Sequence, residues 1–151
     1  MGDRGTGGFA VRAACGADAE ALVALDPVAS GGDGERGEHI RGWCARGSAL
    51  IAEDASGPLG YCVVEYTFFG QGFVPMVTVA PDARGRGVGR LLLEAAAGSC
   101  TTPKLFTSTN LSNQPMQRLL RRAGWSPAGL VHGLDEGDPE VFYLLERPAG
   151  G

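Results

Sequence analysis

Apolar and polar positions change their spacing several times along the chain, and each change marks an expected element. Alternation over Phe9-Ala10-Val11-Arg12-Ala13 predicts a short strand. Ala17 to Leu25 then reads as a helix with Ala21, Leu22 and Leu25 inward, stopped by Asp26-Pro27. Ser30 to Glu38 is a glycine-rich loop, and His39 to Ala45 suggests a second helix carrying Ile40 and Trp43. Ser48 to Glu53 predicts a strand that turns at Asp54 to Pro58 into Leu59 to Phe69, with Gly70-Gln71-Gly72 as the hairpin turn before the strand Phe73 to Val79. From Val88 the period is helical again and puts Val88, Leu91, Leu92, Ala95 and Ser99 on one face. Lys104 to Thr109 is a further strand, and Ala128 to Leu134 with Glu140 to Glu146 form a final hairpin. Strands and helices in this order predict an α/β fold.

A helix between the last two features is marked at both ends. Asn113 is a good N-cap, Pro115 belongs in a first turn, and Met116, Leu119, Leu120 and Ala123 give an apolar stripe. Gly124 ends it, Arg118, Arg121 and Arg122 occupy the later turns where cations suit the dipole, and Trp125 can fold back as a closing contact.

Between the strand ending at Val79 and the helix opening at Val88 lies Ala80-Pro81-Asp82-Ala83-Arg84-Gly85-Arg86-Gly87. Glycine makes up 25 of 151 residues, so a G-x-G-x-G pattern should arise by chance roughly 0.7 times. The strand before it and the apolar helix after it carry the signal. Glycines let backbone approach a phosphate, and the first N–H groups of the helix point at the anion with the positive end of the dipole behind them. A Walker loop would need Lys-Ser or Lys-Thr where Arg90-Leu91 stands. A dinucleotide fingerprint wants G-x-G-x-x-G and an acid about 20 residues on, and Thr107 to Asn110 offer none.

Arg84-x-x-Gly87-x-Gly89 after a Val-x-Pro strand end resembles the acyl-CoA pyrophosphate loop of the GNAT superfamily of N-acetyltransferases. The stretch Asn113 to Trp125 is similar to that family's N-x-x-A-x-x-x-Y-x-x-x-G-F helix in length and end signals. The resemblance extends from about Phe9 to Glu146. It implies a mixed, mostly antiparallel sheet flanked by helices, with a splayed central strand pair and acetyl-CoA in the cleft between the strands ending near Val79 and Thr109. It further implies that Val77, Thr78 and Val79 hold the pantetheine by their backbone, that Arg84, Gly85, Arg86, Gly87, Val88 and Gly89 bind the pyrophosphate, and that a main-chain N–H near Val79 polarises the thioester carbonyl. Asn113 is a plain cap or the CoA-contacting asparagine of the family, or both.

Where many members carry a tyrosine that protonates the departing thiolate, this chain has Leu120. Loss of a general acid costs about 10²–10⁴-fold, yet a thiol near pKa 8.5 leaves as thiolate with little help. Tyr66, Tyr143 or water could substitute. The strand Phe73 to Val79 also lacks the glutamate that some members place there. Glu65, in the otherwise apolar Tyr61-Cys62-Val63-Val64-Glu65-Tyr66, is then the best candidate base for the acceptor amine, against its being an outward-facing strand residue. His132 is a second candidate for the base, against its being a structural histidine in a strand. The acidic run Asp135-Glu136-Gly137-Asp138-Pro139-Glu140 is either a solvated turn or the border of a site drawing a cationic acceptor. Phe68-Phe69 line an acceptor pocket or pack in the core.

Composition narrows the partners. With 44% hydrophobic and 20% charged residues, 9–147 is expected to form one domain, with frayed ends at 1–8 and 148–151. No stretch suits a membrane span, and Met1 to Gly8 lacks the apolar core of a signal peptide, so a cytoplasmic protein is expected. A net charge of −4 disfavours nucleic acid. Cys15, Cys44, Cys62 and Cys100 are far apart with no C-x-x-C, which argues against zinc and disulfides; they pack as small hydrophobes, a catalytic cysteine being the alternative. The expected activity is direct acetyl transfer from acetyl-CoA to a primary amine of a small molecule or peptide, without metal, in a protein whose relatives are frequently homodimers. The alternatives are a catalytically weak acyl-CoA sensor or interaction module, and a domain of this shape without CoA affinity.

Overall fold

A computed structural model describes residues 8–146, and the expected ends 1–8 and 148–151 lie outside them but for Gly8. Along the chain run β1 (Ala10–Ala13), α1 (Ala19–Leu25), α2 (Pro27–Ser30), α3 (Gly34–Arg46), β2 (Ala49–Asp54), β3 (Gly57–Phe68), β4 (Gln71–Val79), α4 (Val88–Ser99), β5 (Lys104–Asn110), α5 (Gln114–Arg122), β6 (Ser126–Val131) and β7 (Glu140–Glu146). The sheet order is β1-β2-β3-β4-β5-β7-β6. The β1–β2, β2–β3, β5–β7 and β6–β7 ladders are antiparallel and β4–β5 is parallel, the mixed, mostly antiparallel arrangement expected. No helix of the described residues is long and apolar enough to cross a membrane. The residues cluster into two compact units, one up to Val63 with Met76–Ala96, the other Val64–Pro75 with the chain from Ala97.

In the first unit, Leu22, Ile40 and Trp43 of α1 and α3 pack with Ile51, Tyr61 and Val63 of β2 and β3. Asp26 is the polar exception, fully buried. It ends α1 and caps α2, accepting from the Val28 and Ala29 amides at 2.9 and 3.2 Å. It also accepts from Arg36 at 2.9 Å and from the Tyr61 hydroxyl at 2.6 Å. Burial alone would push the Asp26 carboxyl up, but the Tyr61 hydroxyl, the Ala29 amide and Arg36 outweigh it and hold it below its ordinary value. The glycine-rich loop expected over Ser30 to Glu38 is largely helix, because Asp33 caps α3 by accepting from the Glu35 and Arg36 amides. Arg36 thereby reaches Asp26.

Two inward faces were rotated relative to expectation. Ala19 rather than Ala21 is buried with Leu22 in α1, and Leu25 is half-buried. In α4 the buried residues are Val88, Leu92, Leu93 and Ala96, while Leu91 and Ala95 are half-buried and Ser99 is exposed. Leu91-Leu92-Leu93 and Ala95-Ala96-Ala97 offer no polar contrast to fix the phase. Gly60 sets the approach of β3 to β4, since a Cβ there would lie 2.6 Å from the Thr78 carbonyl oxygen and 3.1 Å from the Val79 Cα.

In the second unit, β4 and β5 pair over Gly72↔Leu105, Phe73↔Phe106 and Val74↔Thr107, and Pro75, next in line, has no N–H to extend the ladder. The Thr107 hydroxyl donates to the Val74 carbonyl at 2.7 Å. The hairpin into β4 turns at Phe69-Gly70, one residue earlier than expected, with both residues in the left-handed region (φ 54° and 77°) as a two-residue turn requires. Phe68 packs against Phe73, Phe106 and Phe142 with centroids 5.1 to 5.7 Å away, while Phe69 is 89% exposed. In α5, Gly124 (φ 96°) and the Trp125 amide bonding back to the Leu120 carbonyl at 3.0 Å form the expected stop, with Trp125 buried.

Asp26→Asn is expected to cost about 2–3 kcal/mol at pH 7, because it leaves Arg36 without a counter-charge. The folded Asp26 carboxyl is depressed, so its contribution is complete above about pH 4 and is lost as pH falls through the folded value. Urea unfolding of both proteins at pH 7 and pH 3 should therefore show the gap narrowing in acid; an unchanged gap would contradict an ionised Asp26.

Candidate functional site

The chain leaves β4 pinned, with the Ala80 amide donating to the Leu59 carbonyl at 2.8 Å. A single 3₁₀ turn follows at Pro81–Ala83, where the Ala83 amide returns to the Ala80 carbonyl. Arg84 is extended, and Gly85 and Gly87 take φ of 79° and 86°. Those values are strained for any residue with a side chain, whereas the space beside both glycines is open. The Leu91 amide makes the first helical bond, to the Gly87 carbonyl at 3.1 Å. The amides of Val88, Gly89 and Arg90 therefore precede the helical ladder. Such a turn can hold a phosphate by main-chain donors alone.

The first unit thus brings Val77, Thr78 and Val79 at the end of β4 together in sequence with Arg84 to Gly89. The two arginines differ. Arg84 is exposed, whereas Arg86 donates to Asp54 at 3.2 Å and lies 4.9 Å over the Phe9 ring. Asp54 also accepts from the Ser56 amide and hydroxyl in the β2–β3 turn. Nothing in local spacing announces this pairing, since 32 residues separate the partners. A groove of about 510 Å³ is lined by Ala21, Ala24 and Leu25 of α1 with Pro58, Ala80, Pro81 and Asp82.

The second unit holds Glu65, Asn113 and Tyr143. Asn113 caps α5 as expected, its Oδ1 accepting from the Met116 amide at 3.2 Å. Glu65 is half-buried on β3 beside buried Val64. Tyr66 is exposed, and its hydroxyl accepts from the Thr101 amide at 3.1 Å. Tyr143 is fully buried and donates its hydroxyl proton to Gln117 at 2.8 Å, while the Gln117 amide donates to the Leu111 carbonyl at 2.7 Å. That proton is committed inside the unit, which speaks against Tyr143 as a donor to a leaving group. Leu120 is likewise fully buried.

The acidic hairpin is pinned rather than loose. Asp138 accepts from the Ser112 amide and hydroxyl at 3.1 and 2.6 Å, Asp135 from Asn110 at 2.9 Å, and Glu140 from the Ser108 hydroxyl at 2.7 Å. His132 is exposed. Cys44, Cys62 and Cys100 are buried as expected and Cys15 is exposed. Burial pushes the Cys62 thiol up to about 12 and raises Cys44 as well, so neither offers a thiolate. Among the described residues no group of three or more His, Cys, Asp or Glu could hold a metal ion.

Residues 45–127 match the sequence model of the acetyltransferase (GNAT) domain. The chain is 33% identical over 137 residues to streptothricin acetyltransferase of Streptomyces lavendulae, a match covering 84% of this chain and 71% of that protein. Its structure is similar to that of a GNAT-family acetyltransferase from Bacillus cereus ATCC 10987, with TM-score 0.87, 30% identity and coverage of 93% and 98% of the two chains. At 19% identity it shares the fold of yncA from Salmonella typhimurium, a structure holding acetyl-CoA, with TM-score 0.73 and coverage of 93% and 94%.

Tyr143→Phe should leave the buried Gln117 oxygen without its donor and cost about 1–2 kcal/mol in denaturant unfolding. A catalytic tyrosine would instead show a large fall in turnover at unchanged stability.

Proposed function

We propose that this chain, which belongs to the GNAT family and is an acetyl-CoA-dependent acetyltransferase, moves the acetyl group directly to a primary amine of a cationic small molecule or peptide. The observation that carries the reading is the turn with Gly85 and Gly87 in the left-handed region ahead of the unladdered amides of α4. In this reading the main chain of Arg84 to Gly89 receives the pyrophosphate, with Arg84 adding charge, and the backbone of Val77 to Val79 lies along the pantetheine. A main-chain N–H near Val79 polarises the thioester carbonyl. Asn113, already a cap, is proposed as a further contact to CoA.

The neutral amine attacks the carbonyl carbon, the N–C bond forms, the C–S bond breaks and CoA leaves as thiolate. The proton lost by the amine goes to Glu65, through water. Leu120 donates nothing, and the committed hydroxyl of Tyr143 makes unassisted thiolate departure the simpler course. Support for a cationic acceptor comes from Asp135, Asp138 and Glu140, which accept from the neutral groups of Asn110, Ser112 and Ser108, so these contacts do not cancel their charge. The relative named for streptothricin makes that compound a sensible member of the amine panel.

Titration calorimetry with acetyl-CoA should give one-to-one binding, and a panel of amines should release CoA thiol above the protein-free rate. Binding without thiol release would instead describe a CoA sensor. Gly87→Val should weaken acetyl-CoA binding by at least about tenfold, and wild-type affinity would reject the placement. Glu65→Gln should lower kcat by about 10²–10⁴-fold with KM for acetyl-CoA unchanged; undiminished turnover would remove Glu65 from the mechanism.

A further inference from the structure

We propose that Arg86 is a positioning residue for the glycine turn and not a ligand of the phosphate, held in that role by Asp54 and Phe9. The inference rests on the reading of Arg84 to Gly89 as the pyrophosphate site. Arg86 stands between Gly85 and Gly87, the two residues whose left-handed backbone shapes the turn. Its guanidinium donates from Nη2 to the Asp54 carboxylate at 3.2 Å and has its Cζ over the Phe9 ring, 4.9 Å from the centroid. One contact is an ion pair and the other a cation–π contact, so two separate partners restrain the group.

Asp54 is a firm anchor. Its Oδ1 accepts from the Ser56 amide and hydroxyl, leaving Oδ2 for Arg86. The Ser56 contacts first, and Arg86 after them, keep the carboxyl below its ordinary value, so it is ionised at neutral pH. Phe9 directly precedes β1, whose Arg12 is tied to Glu53 of β2 at 2.8 Å. The glycine turn is thereby fastened by a side chain to the β1–β2 edge, at a point where its own glycines give it no stiffness. A turn ordered before it meets the anion loses less entropy on binding.

The competing arrangement, in which Arg86 contacts the phosphate directly, predicts the opposite sign for one variant. Asp54→Asn keeps the acceptor for the Ser56 amide and removes the charge that holds Arg86. If Arg86 positions the turn, Asp54→Asn and Arg86→Ala should each weaken acetyl-CoA binding by about three- to tenfold in calorimetry, and the double variant should be no weaker than the weaker single one. If Arg86 is a ligand restrained by Asp54, Asp54→Asn should bind more tightly or unchanged, which would overturn the proposal. Amide order parameters over Gly85 to Gly89, measured by NMR without ligand, should fall in Asp54→Asn. Unaltered order parameters would also overturn it. A wild-type protein that binds no acetyl-CoA would defeat the loop reading, while the order parameters still report whether the clamp stiffens the turn.

Discussion

The connection from β4 to α4 is constrained at both ends. Ala80 is tied to Leu59 at the strand end, and Val88 is buried at the start of the helix, so the segment between them must reverse while exposing its own amides. Left-handed backbone at Gly85 and Gly87 meets both conditions. The rest of the proposed chemistry depends on that turn, because an acyl carrier held elsewhere would not present its thioester at the end of β4.

Electrostatic satisfaction differs between the two units. In the first, Asp18, Glu20, Asp26, Glu53 and Asp54 are each answered by an arginine. In the second, the hairpin carboxylates are answered by hydroxyl, amide and peptide donors. Neutral donors orient a carboxylate without cancelling its charge, whereas Arg86 beside the glycine turn offsets the charge of Asp54.

What could be read from the residues was local. The glycine turn, the Asn113 cap and the Gly124 stop depend on backbone geometry within a few positions, and each stands where its residue type requires. The phase of α4 was not legible, because its consecutive leucines and alanines look alike from every side. The start of α3 was hidden by the glycines around Asp33, whose cap outweighs their poor helix propensity. Partners distant in sequence were also invisible: Arg86 and Asp54, Tyr61 and Asp26, Tyr143 and Gln117 meet only once the strands are paired.

The strand β6 lies at the margin of the sheet, with every residue exposed. Its pairing with β7 is irregular between Pro127 and Gly129, and Pro127 has no N–H to offer outward. Leu130 and Val131 would otherwise make this border an inviting template for a strand from another copy. The register shift and the missing N–H break the regular edge ladder that such stacking needs.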